Sequence, residues 1–414
     1  MEENRVVITG LGAVTPIGLG VREFWTALTE GRNGIARVTH FDPGEFRSHM
    51  AAEVKSFNPT DWIDIKTAQR MDRFVHFAMA ASAMALSDAG LDQHEFDGDN
   101  AGVIIGSGIG GADTIQEGYT LLHSRGPKSI GPFFVSKSLI NTAACMVSIS
   151  HGLRGPLSAP SVACSTGSNA IGDAFRIIQR GDAEIMLAGG SEASISPLPF
   201  GGFCATHSMS TRNDQVEGAS RPFDKNRDGF VMGEGSGIVI LENLDHALNR
   251  NARIYAEMAG YGSTADAFHF TAPEPSGRGM IKVMEKALKD AGLEPQDVGH
   301  INAHGTSTVL NDKIESSSIK KVFGDEASRI KVSSIKSMIG HLLAAAGAVE
   351  FVAAAKSIQT GIIPPTINCE SPDPECPLNI VTKGAESFDG NAVISNSFGF
   401  GGGNVCLAVK VFKE

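Results

Sequence analysis

Two kinds of hydrophobic run alternate along the chain. Short, almost fully apolar runs bounded by Gly, Ser or Asn are typical of strands that are buried on both faces. We predict seven such strands, at residues 6–9, 102–105, 185–188, 238–241, 332–334, 393–395 and 405–409. Longer stretches have apolar residues at helical spacing, and they predict helices at 74–86, 279–288 and 342–358. This alternation indicates the α/β class with a largely parallel core.

One heptad occurs twice. Ala-Leu-Ser-Asp-Ala-Gly-Leu at 85–91 returns as Ala-Leu-Lys-Asp-Ala-Gly-Leu at 287–293. Each copy places a glycine where a helix is expected to end, and an apolar run follows. A chance repeat is the alternative, since Asp-Ala-Gly is a common helix ending, but the following element agrees as well. We therefore predict two similar halves in one compact body, residues 1–252 and residues 253–414.

Composition excludes several classes of protein. The chain has 42% hydrophobic and 20% charged residues, as a well-packed globular protein does. No apolar run approaches the length of a membrane span, and the first residues lead almost directly into a predicted strand. We therefore expect neither a membrane partner nor a signal or transit peptide. A formal net charge of −11 disfavours nucleic-acid binding.

Six scattered cysteines without paired spacing argue against a disulfide framework and against a zinc site. We expect a cytoplasmic location, with an organellar matrix as the alternative if a transit peptide has been removed. Residues 106–111 match G-x-G-x-x-G but lack the acidic residue of a dinucleotide site. Residues 224–229 begin like a calcium loop but have Gly235 where the bidentate Glu belongs. We expect no metal.

Cys164 is the candidate nucleophile. It follows a short apolar segment, small and polar residues come next, and Ile171, Ala174, Phe175 and Ile178 then share one helical face. We expect a tight strand-to-helix turn, where free N–H groups and the helix dipole favour the thiolate. The alternative is a buried cysteine that acts as a small hydrophobe, as the other five cysteines are expected to do.

Two histidines and a lysine lie in similar turns. His304 follows an apolar strand predicted at residues 300–303, after the second heptad, and His341 follows the strand predicted at 332–334. Each histidine adjoins a glycine, and Lys336 precedes His341 in the same turn. Ligands of open α/β sheets bind outside the carboxyl ends of the strands. A surface or satisfied core histidine is the alternative for either residue alone. The glycine-rich loop at 396–404 offers backbone N–H groups to an oxyanion.

In four ordered motifs the whole chain resembles the β-ketoacyl-[acyl-carrier-protein] synthases of the condensing-enzyme superfamily, in particular the elongating type II enzymes. The motifs are Val162-Ala163-Cys164-Ser165-Thr166-Gly167, His304-Gly305-Thr306-Ser307-Thr308, Lys336-Ser337-Met338-Ile339-Gly340-His341 and Asn396-Ser397-Phe398-Gly399-Phe400-Gly401-Gly402. The resemblance implies a thiolase-like fold, with duplicated βαβαβαββ halves in a five-layer αβαβα arrangement, and a homodimer. It also accounts for the repeated heptad.

The resemblance implies a reaction as well. Cys164 would accept an acyl chain from acyl carrier protein, and neutral His304 and His341 would stabilise the enolate formed as malonyl-carrier protein loses CO2. Lys336 would position the site, and the backbone N–H groups of Cys164 and Phe400 would form the hole for the condensation. The product would be 3-oxoacyl-carrier protein in type II fatty acid biosynthesis. The substrates carry phosphopantetheine, so no separate cofactor is implied.

The same resemblance assigns roles to the surroundings. These are a polar network (Asp312 and Glu350), pantetheine contacts (Thr306 and Thr308), and an acyl pocket lined by Ile109 and Phe133 and gated by Phe400. An acidic carrier protein also needs a basic patch on this acidic chain. The candidates are Lys66, Arg70 and Arg73, spaced to share one helical face, with Arg125 and Lys128. A solvated surface face is the alternative.

Four positions depart from the family pattern: Val309, Ile339, Gly403 and His207. None removes a catalytic group, so they affect the expected substrate preference and docking strength rather than the reaction. A polyketide-type ketosynthase with the same chemistry is the alternative enzyme. A non-catalytic chain-length-factor subunit shares the fold, but the Cys-His-His set argues against it. A thiolase would need a second catalytic cysteine in a glycine-rich motif.

Overall fold

The computed structural model describes residues 3–91 and 96–413. The helices are α1 (Val21–Thr29), α2 (Ile65–Ala68), α3 (Arg73–Ala89), α4 (Ala112–Arg125), α5 (Phe134–Ser138), α6 (Thr142–His151), α7 (Thr166–Arg180), α8 (Pro197–Ala205), α9 (Leu244–Asn249), α10 (Arg278–Ala291), α11 (Val309–Phe323), α12 (Lys336–Ile339) and α13 (Ala346–Thr360). The strands are β1 (Val6–Thr15), β2 (Gly18–Leu19), β3 (Ala36–Arg37), β4 (Met50–Ala52), β5 (Ala101–Gly106), β6 (Leu157–Ser158), β7 (Ile185–Glu192), β8 (Met232–Gly233), β9 (Gly235–Asn243), β10 (Ala256–Ala265), β11 (Val298–Asn302), β12 (Lys331–Ser333), β13 (Ile362–Ile363), β14 (Asn379–Ile380), β15 (Glu386–Ser387), β16 (Ala392–Phe398) and β17 (Gly403–Lys410).

The main sheet is mixed. Its strand order is β6–β5–β7–β9–β1–β10–β17–β16–β11–β12–β14, with β2 paired to β1. Pairs at both ends of this order are parallel, whereas the pairs from β7 to β16 are antiparallel. The seven predicted strands are confirmed, but the prediction of a largely parallel core is wrong. Apolar runs report burial on both faces and carry no information about strand direction.

Five layers result from the packing of helices on this sheet. On one outer face α3 packs on β1, β7 and β9, and α6 packs on α3 and β5. On the other outer face α10 packs on β10 and β17, with α11 beside it. Between the two halves of the sheet, α7 and α13 contact each other and strands of both halves. The predicted thiolase-like arrangement is confirmed, while the boundary between residues 252 and 253 stays a prediction.

The repeated heptad performs the same task in both halves. Asp88 Oδ2 accepts the N–H of Leu11 at 2.9 Å, and Asp290 Oδ2 accepts the N–H of Tyr261 at 2.8 Å. Each of these N–H groups lies just after a register shift in its strand, in β1 and in β10. The glycine of each copy ends its helix with a positive φ, as predicted.

The two central helices cross at small residues. A Cβ on Gly167 of α7 would lie 2.8 Å from the backbone nitrogen of Ala348 in α13, so only glycine allows this approach. The helix predicted at 342–358 begins later, at Ala346. The preceding Leu343–Ala345 segment is a 3₁₀ turn whose first residue has a φ of 49°. This left-handed residue interrupts an α-helix although the local composition favours one.

Candidate active site

Cys164 lies in a strained turn at the start of α7. The turn is a single 3₁₀ turn, Ala163–Ser165, and Ala163 adopts a φ of 46°, a region that residues with a Cβ rarely enter. Thr166 Oγ1 fixes the turn, since it accepts the N–H of Val162 at 2.8 Å and donates to the Ala163 carbonyl at 2.7 Å. The predicted position at a helix start is confirmed.

The prediction that the helix start makes Cys164 a thiolate is wrong for the resting protein. Burial raises the pKa of the Cys164 thiol to about 11, and this outweighs the backbone N–H groups of Phe400 and Cys164 that stabilise the charged sulfur. Cys164 is therefore a thiol at neutral pH. The helix start provides N–H donors as expected. Because Cys164 is only 8% exposed, however, these donors lower its pKa by less than desolvation of the charged sulfur raises it.

One cavity brings the catalytic candidates together. Its volume is about 310 Å³. Among the residues predicted for the site, those that line it are Cys164, His304, His341, Thr306, Thr308 and Phe400. The departures His207 and Val309 line the same cavity. A Cys, two His and two Thr from segments far apart in sequence thus face one space.

Lys336 determines the orientation of His304. The buried Lys336 ammonium donates to the Glu350 carboxylate and to the His304 carbonyl at 2.7 Å, and it lies 3.4 Å from His304 Nδ1. A cationic donor facing Nδ1 favours a lone pair on that nitrogen, so the ring proton belongs on Nε2. Burial, and then the charge of Lys336, lowers the pKa of His304 well below its usual value. His304 is therefore a neutral donor.

His341 is the second neutral imidazole. Its ring stands perpendicular to that of His304, with ring centres 5.4 Å apart, and its other neighbour is the Phe230 ring at 5.5 Å. Burial, and then Lys336, lowers the pKa of His341 well below its usual value. The prediction of two neutral histidines agrees with these pKa directions.

Glu315 supports the His304 turn, although none of the four sequence motifs contains it. Its two carboxylate oxygens accept the N–H groups of His304 and Gly305, both at 2.8 Å, so it holds the backbone of the His304 turn. Burial raises its pKa to about 7. One feature of the sequence does point to Glu315, because it shares a face of α11 with the apolar Ile319 and Phe323. An acidic side chain on an apolar face needs a specific partner.

The polar network has two parts. Glu350 meets Lys336, and burial raises the Glu350 pKa to about 7. Asp312 lies instead behind the His304 turn, where it accepts the Phe223 N–H at 2.9 Å and faces Arg227 at 3.6 Å. The calcium-like loop has a structural role, because the Asp224 carboxylate accepts the N–H groups of Asn226 and Ser371.

Ser165 connects the last loop to the cysteine turn, which the sequence did not reveal. Its Oγ lies 3.0 Å from the Ser397 carbonyl and 2.6 Å from the Gly403 carbonyl, at the two ends of the loop. A Cβ on Gly399 would lie 3.3 Å from the Cys164 nitrogen, so the loop passes close to the turn. The half-buried Phe400 follows and faces Phe203, with ring centres 6.5 Å apart.

The two other residues predicted for the acyl pocket lie elsewhere. Ile109 is half-buried in the loop after β5, and its N–H points at the buried Glu192 carboxylate. Phe133 is 42% exposed and lines a second cavity of about 280 Å³ between α4 and α5. Neither belongs to the lining of the Cys164 cavity within this single chain.

The predicted docking face needs a correction. Lys66 lies in α2, Arg70 in the turn after it, and Arg73 begins α3, so the three residues do not share one helix. Arg73 makes a bidentate ion pair with Glu234, at 3.0 and 2.8 Å. A guanidinium already paired with a buried carboxylate is a poor docking group. Lys66, Arg70, Arg125 and Lys128 are exposed.

Among residues 3–91 and 96–413, no helix is both long and apolar enough to cross a membrane. Within the same described part of the chain, no group of three or more His, Cys, Asp or Glu side chains is arranged to hold a metal ion.

Comparisons with known proteins agree along the whole chain. Family models described as the beta-ketoacyl synthase N-terminal and C-terminal domains match residues 3–247 and 255–370. A 3-oxoacyl-[acyl-carrier-protein] synthase 2 of Synechocystis sp. is 50% identical over 413 residues, which cover 100% of this chain and 99% of that protein. A protein of the same name from Staphylococcus aureus is 48% identical over 412 residues, again covering 100% and 99%. A ketosynthase solved in complex with its type II PKS acyl-carrier protein is 37% identical, with a TM-score of 0.92 over 99% of this chain and 100% of that one.

Proposed function

The chain belongs to the beta-ketoacyl synthase family, and on that premise we propose that it condenses a Cys164-bound acyl chain with malonyl-carrier protein. It is a condensing acyltransferase of the 3-oxoacyl-[acyl-carrier-protein] synthase kind. The observation that supports our residue assignment most strongly is the single cavity that joins Cys164 to two neutral histidines, His304 and His341.

The first step moves the acyl chain to the enzyme. The Cys164 sulfur attacks the thioester carbonyl of acyl-carrier protein, a new carbon–sulfur bond forms, and the carrier's thiol leaves with the proton that Cys164 gives up. The N–H groups of Cys164 and Phe400, which face the sulfur, stabilise the negative oxygen of the tetrahedral intermediate. This step uses the start of α7 and the loop after β16.

The second step makes the carbon–carbon bond. Malonyl-carrier protein loses CO2, and its thioester oxygen becomes an enolate that accepts hydrogen bonds from His304 and His341. The enolate carbon attacks the Cys164 thioester, the carbon–sulfur bond to Cys164 breaks, and 3-oxoacyl-carrier protein leaves. The Cys164 thiolate then takes up one proton. A thiol with a pKa of about 11 favours that uptake at neutral pH.

Neutral histidines suit the decarboxylation. A positively charged imidazole would hold the malonyl carboxylate as an ion pair and stabilise the ground state rather than the transition state. Burial opposes the protonation of both rings, and the positive charge of the Lys336 ammonium opposes it further. Each well-placed donor contributes about 3 kcal/mol to lowering the barrier.

Both substrates already carry phosphopantetheine, so we propose that the protein needs no separate cofactor. Thr306 and Thr308 line the cavity with their hydroxyl oxygens 2.9 Å apart, and they are placed to hydrogen-bond pantetheine amides. Exposed cations from Lys66, Arg70, Arg125 and Lys128 are the proposed contacts of the acidic carrier protein. We propose a cytoplasmic location for this pathway.

A homodimer is the proposed assembly. Exposed apolar side chains concentrate on α4, α5, α6 and the edge strand β6: Tyr119, Leu122, Val135, Leu139, Ile149 and Leu157. An edge strand and exposed apolar side chains on neighbouring elements both favour association with a second copy. Sedimentation equilibrium tests this, and a monomer at micromolar concentration would contradict it.

The reaction is tested with acyl- and malonyl-carrier protein. We expect equal amounts of 3-oxoacyl product and CO2 from the wild type. A Cys164→Gln variant cannot hold an acyl chain, so it is expected to release CO2 without condensation. Wild-type protein that forms no 3-oxoacyl product from any acyl chain length would contradict the proposed function.

A further inference from the structure

Arg73 and Glu234 form an ion pair that neither of the two proposed reaction steps uses. Glu234 is 1% exposed, and the Arg73 guanidinium meets both of its oxygens, Nε at 3.0 Å and Nη2 at 2.8 Å. Glu234 also accepts the Val54 N–H at 2.9 Å, and Arg73 donates to the Val54 carbonyl at 3.0 Å. His40 Nε2 lies 3.9 Å from the same carboxylate. The pair therefore joins the start of α3 to the chain after β4 and the chain after β8.

The segment that precedes Glu234 holds the backbone of His341. The His341 N–H donates to the Val231 carbonyl at 2.7 Å, and the Gly233 N–H donates to the His341 carbonyl at 2.9 Å. The turn before His341 lies against the same segment, since a Cβ on Gly340 would come within 2.9 Å of the Val231 oxygen. The position of the His341 ring thus follows the position of residues 231–233.

The strand in this segment is short, and Glu234 is the single residue between it and β9. β8 has two residues and pairs with β4, which has three, and Met232 of β8 also forms a bridge to His341 itself. The few ladder bonds of so short a strand hold it weakly, because the net contribution of a single hydrogen bond to stability is small. The buried bidentate ion pair at residue 234 adds a directional contact between β8 and β9, because bidentate Arg–carboxylate pairs impose direction as well as attraction.

We propose that Arg73 and Glu234 are positioning residues for His341. They act through the backbone of residues 231–233 and so set where the His341 ring meets the malonyl thioester oxygen. This inference rests on the proposed function. It assigns Arg73 to the chemistry of the second step and not to the binding of the carrier protein.

The two half-reactions separate this role from a general loss of structure. Acylation of Cys164 depends on the Ala163–Ser165 turn and Phe400, which belong to other elements. Decarboxylation and condensation depend on His341. A displaced His341 therefore slows the second half-reaction and leaves the first unchanged, whereas a destabilised fold slows both.

The experiment measures both half-reactions under single-turnover conditions in Glu234→Gln and Arg73→Lys. The first uses acyl-carrier protein and follows the mass of acyl-Cys164. The second adds malonyl-carrier protein to the acylated enzyme and follows CO2. We expect Glu234→Gln to lower the second rate about 10- to 100-fold, since small misplacements of catalytic groups have effects of that size. The acylation rate stays within about twofold of the wild type. Arg73→Lys keeps the positive charge, so its second rate is expected to fall less than that of Glu234→Gln.

Two comparison variants sharpen the outcome. Arg180→Gln removes an exposed pair with Asp182 at the far end of α7, and neither half-reaction is expected to change. Arg70→Met tests the docking face and is expected to raise the KM for carrier protein, whereas Arg73→Lys lowers kcat at unchanged KM. If Glu234→Gln folds poorly, Arg73→Lys supports the same comparison.

Equal losses in the two half-reactions, or no loss in the second, would overturn the inference. A rise in KM for Arg73→Lys like that of Arg70→Met would overturn it too. Failure of the proposed function has a different signature, because wild-type protein would then form neither acyl-Cys164 nor CO2.

Discussion

Two turns in the molecule have the same backbone and different chemistry. Ala163–Ser165 leads into α7, and Leu343–Ala345 leads into α13. Both are single 3₁₀ turns, and the first residue of each has a positive φ, 46° in one and 49° in the other. The middle residue is Cys164 in the first turn and Ala344 in the second. The fold is duplicated, so it makes this strained turn twice.

The surroundings decide what each turn does. Cys164 faces the cavity that contains both histidines, while Ala344 is fully buried and does not line that cavity. The Ala344 carbonyl lies so close to Gly167 and Gly190 that a Cβ on either would come within 3.0 Å of it. One copy of the turn presents a nucleophile, and the other packs the two central helices together. A strained turn is thus a feature of the fold, and function needs the side chain and the open space as well.

Cys164→Ala makes the first turn resemble the second and is expected to have the largest effect. Without the sulfur no acyl-enzyme forms, so condensation falls by more than about 10³-fold. Product formation from acyl- and malonyl-carrier protein is the measurement. Ala344→Cys in the same background provides the control, and it stays unacylated because Ala344 has no access to the cavity. Turnover rescued by Ala344→Cys would mean that the two turns are functionally equivalent.

Gly167→Ala tests the close crossing of α7 and α13 near the two turns. The new Cβ would meet backbone atoms of Ala348 and Ala344 at 2.8 and 3.0 Å, so we expect a loss of about 2–3 kcal/mol in the free energy of unfolding. Urea unfolding measures it. Gly202→Ala in the exposed part of α8 meets no atom within 4 Å, so it is expected to be neutral or slightly stabilising. Equal stability of the two variants would contradict the close crossing.

The alkylation rate of Cys164 tests whether burial dominates over the helix start. With a thiol pKa of about 11, the thiolate fraction grows about tenfold per pH unit at neutral and mildly alkaline pH. Iodoacetamide labelling of the Cys164 peptide, followed by mass spectrometry, is therefore expected to accelerate about 100-fold from pH 7 to pH 9. The half-buried Cys145 is followed separately in its own peptide. A rate that levels off between pH 7 and pH 8 would show an activated thiolate instead.

The two heptad aspartates are expected to give the smallest effect. Asp88 binds the Leu11 N–H, the Tyr255 hydroxyl and Arg253, whereas Asp290 binds the Tyr261 N–H and Arg176. We expect Asp88→Asn to lose about 2 kcal/mol of unfolding free energy and Asp290→Asn about 1 kcal/mol. Urea unfolding of both variants gives the order. A larger loss in Asp290→Asn would mean that the two copies are not held as the contacts indicate.

Much of the fold follows from local pattern. Apolar runs located the strands, and the glycine that ends each heptad located two helix ends. Strand direction was not predictable, because antiparallel strands covered on both faces have the same composition as parallel ones. The start of α13 was misplaced, since Leu343 adopts a left-handed φ that its residue type does not signal.

The residues of the site could be identified from the sequence, whereas the pKa of Cys164 could not be predicted from it. Spaced motifs identified Cys164, His304, His341 and Lys336, which all lie in or beside one cavity. The pKa of Cys164 was predicted with the wrong sign, because a sequence shows the helix start but not the depth of burial. Arg73 was assigned to the surface for the same reason, since its partner Glu234 lies 161 residues away in the chain.

Trapping of the acyl chain tests most directly whether Cys164 is the acyl acceptor. Wild-type protein and Cys164→Ala are incubated with acyl-carrier protein alone and digested. The masses of the peptides are then measured by mass spectrometry. We expect one acyl mass increment on the peptide that contains Cys164. It is absent in the variant and is lost when malonyl-carrier protein is added. An acyl group on any other residue, or undiminished acylation of Cys164→Ala, would contradict it.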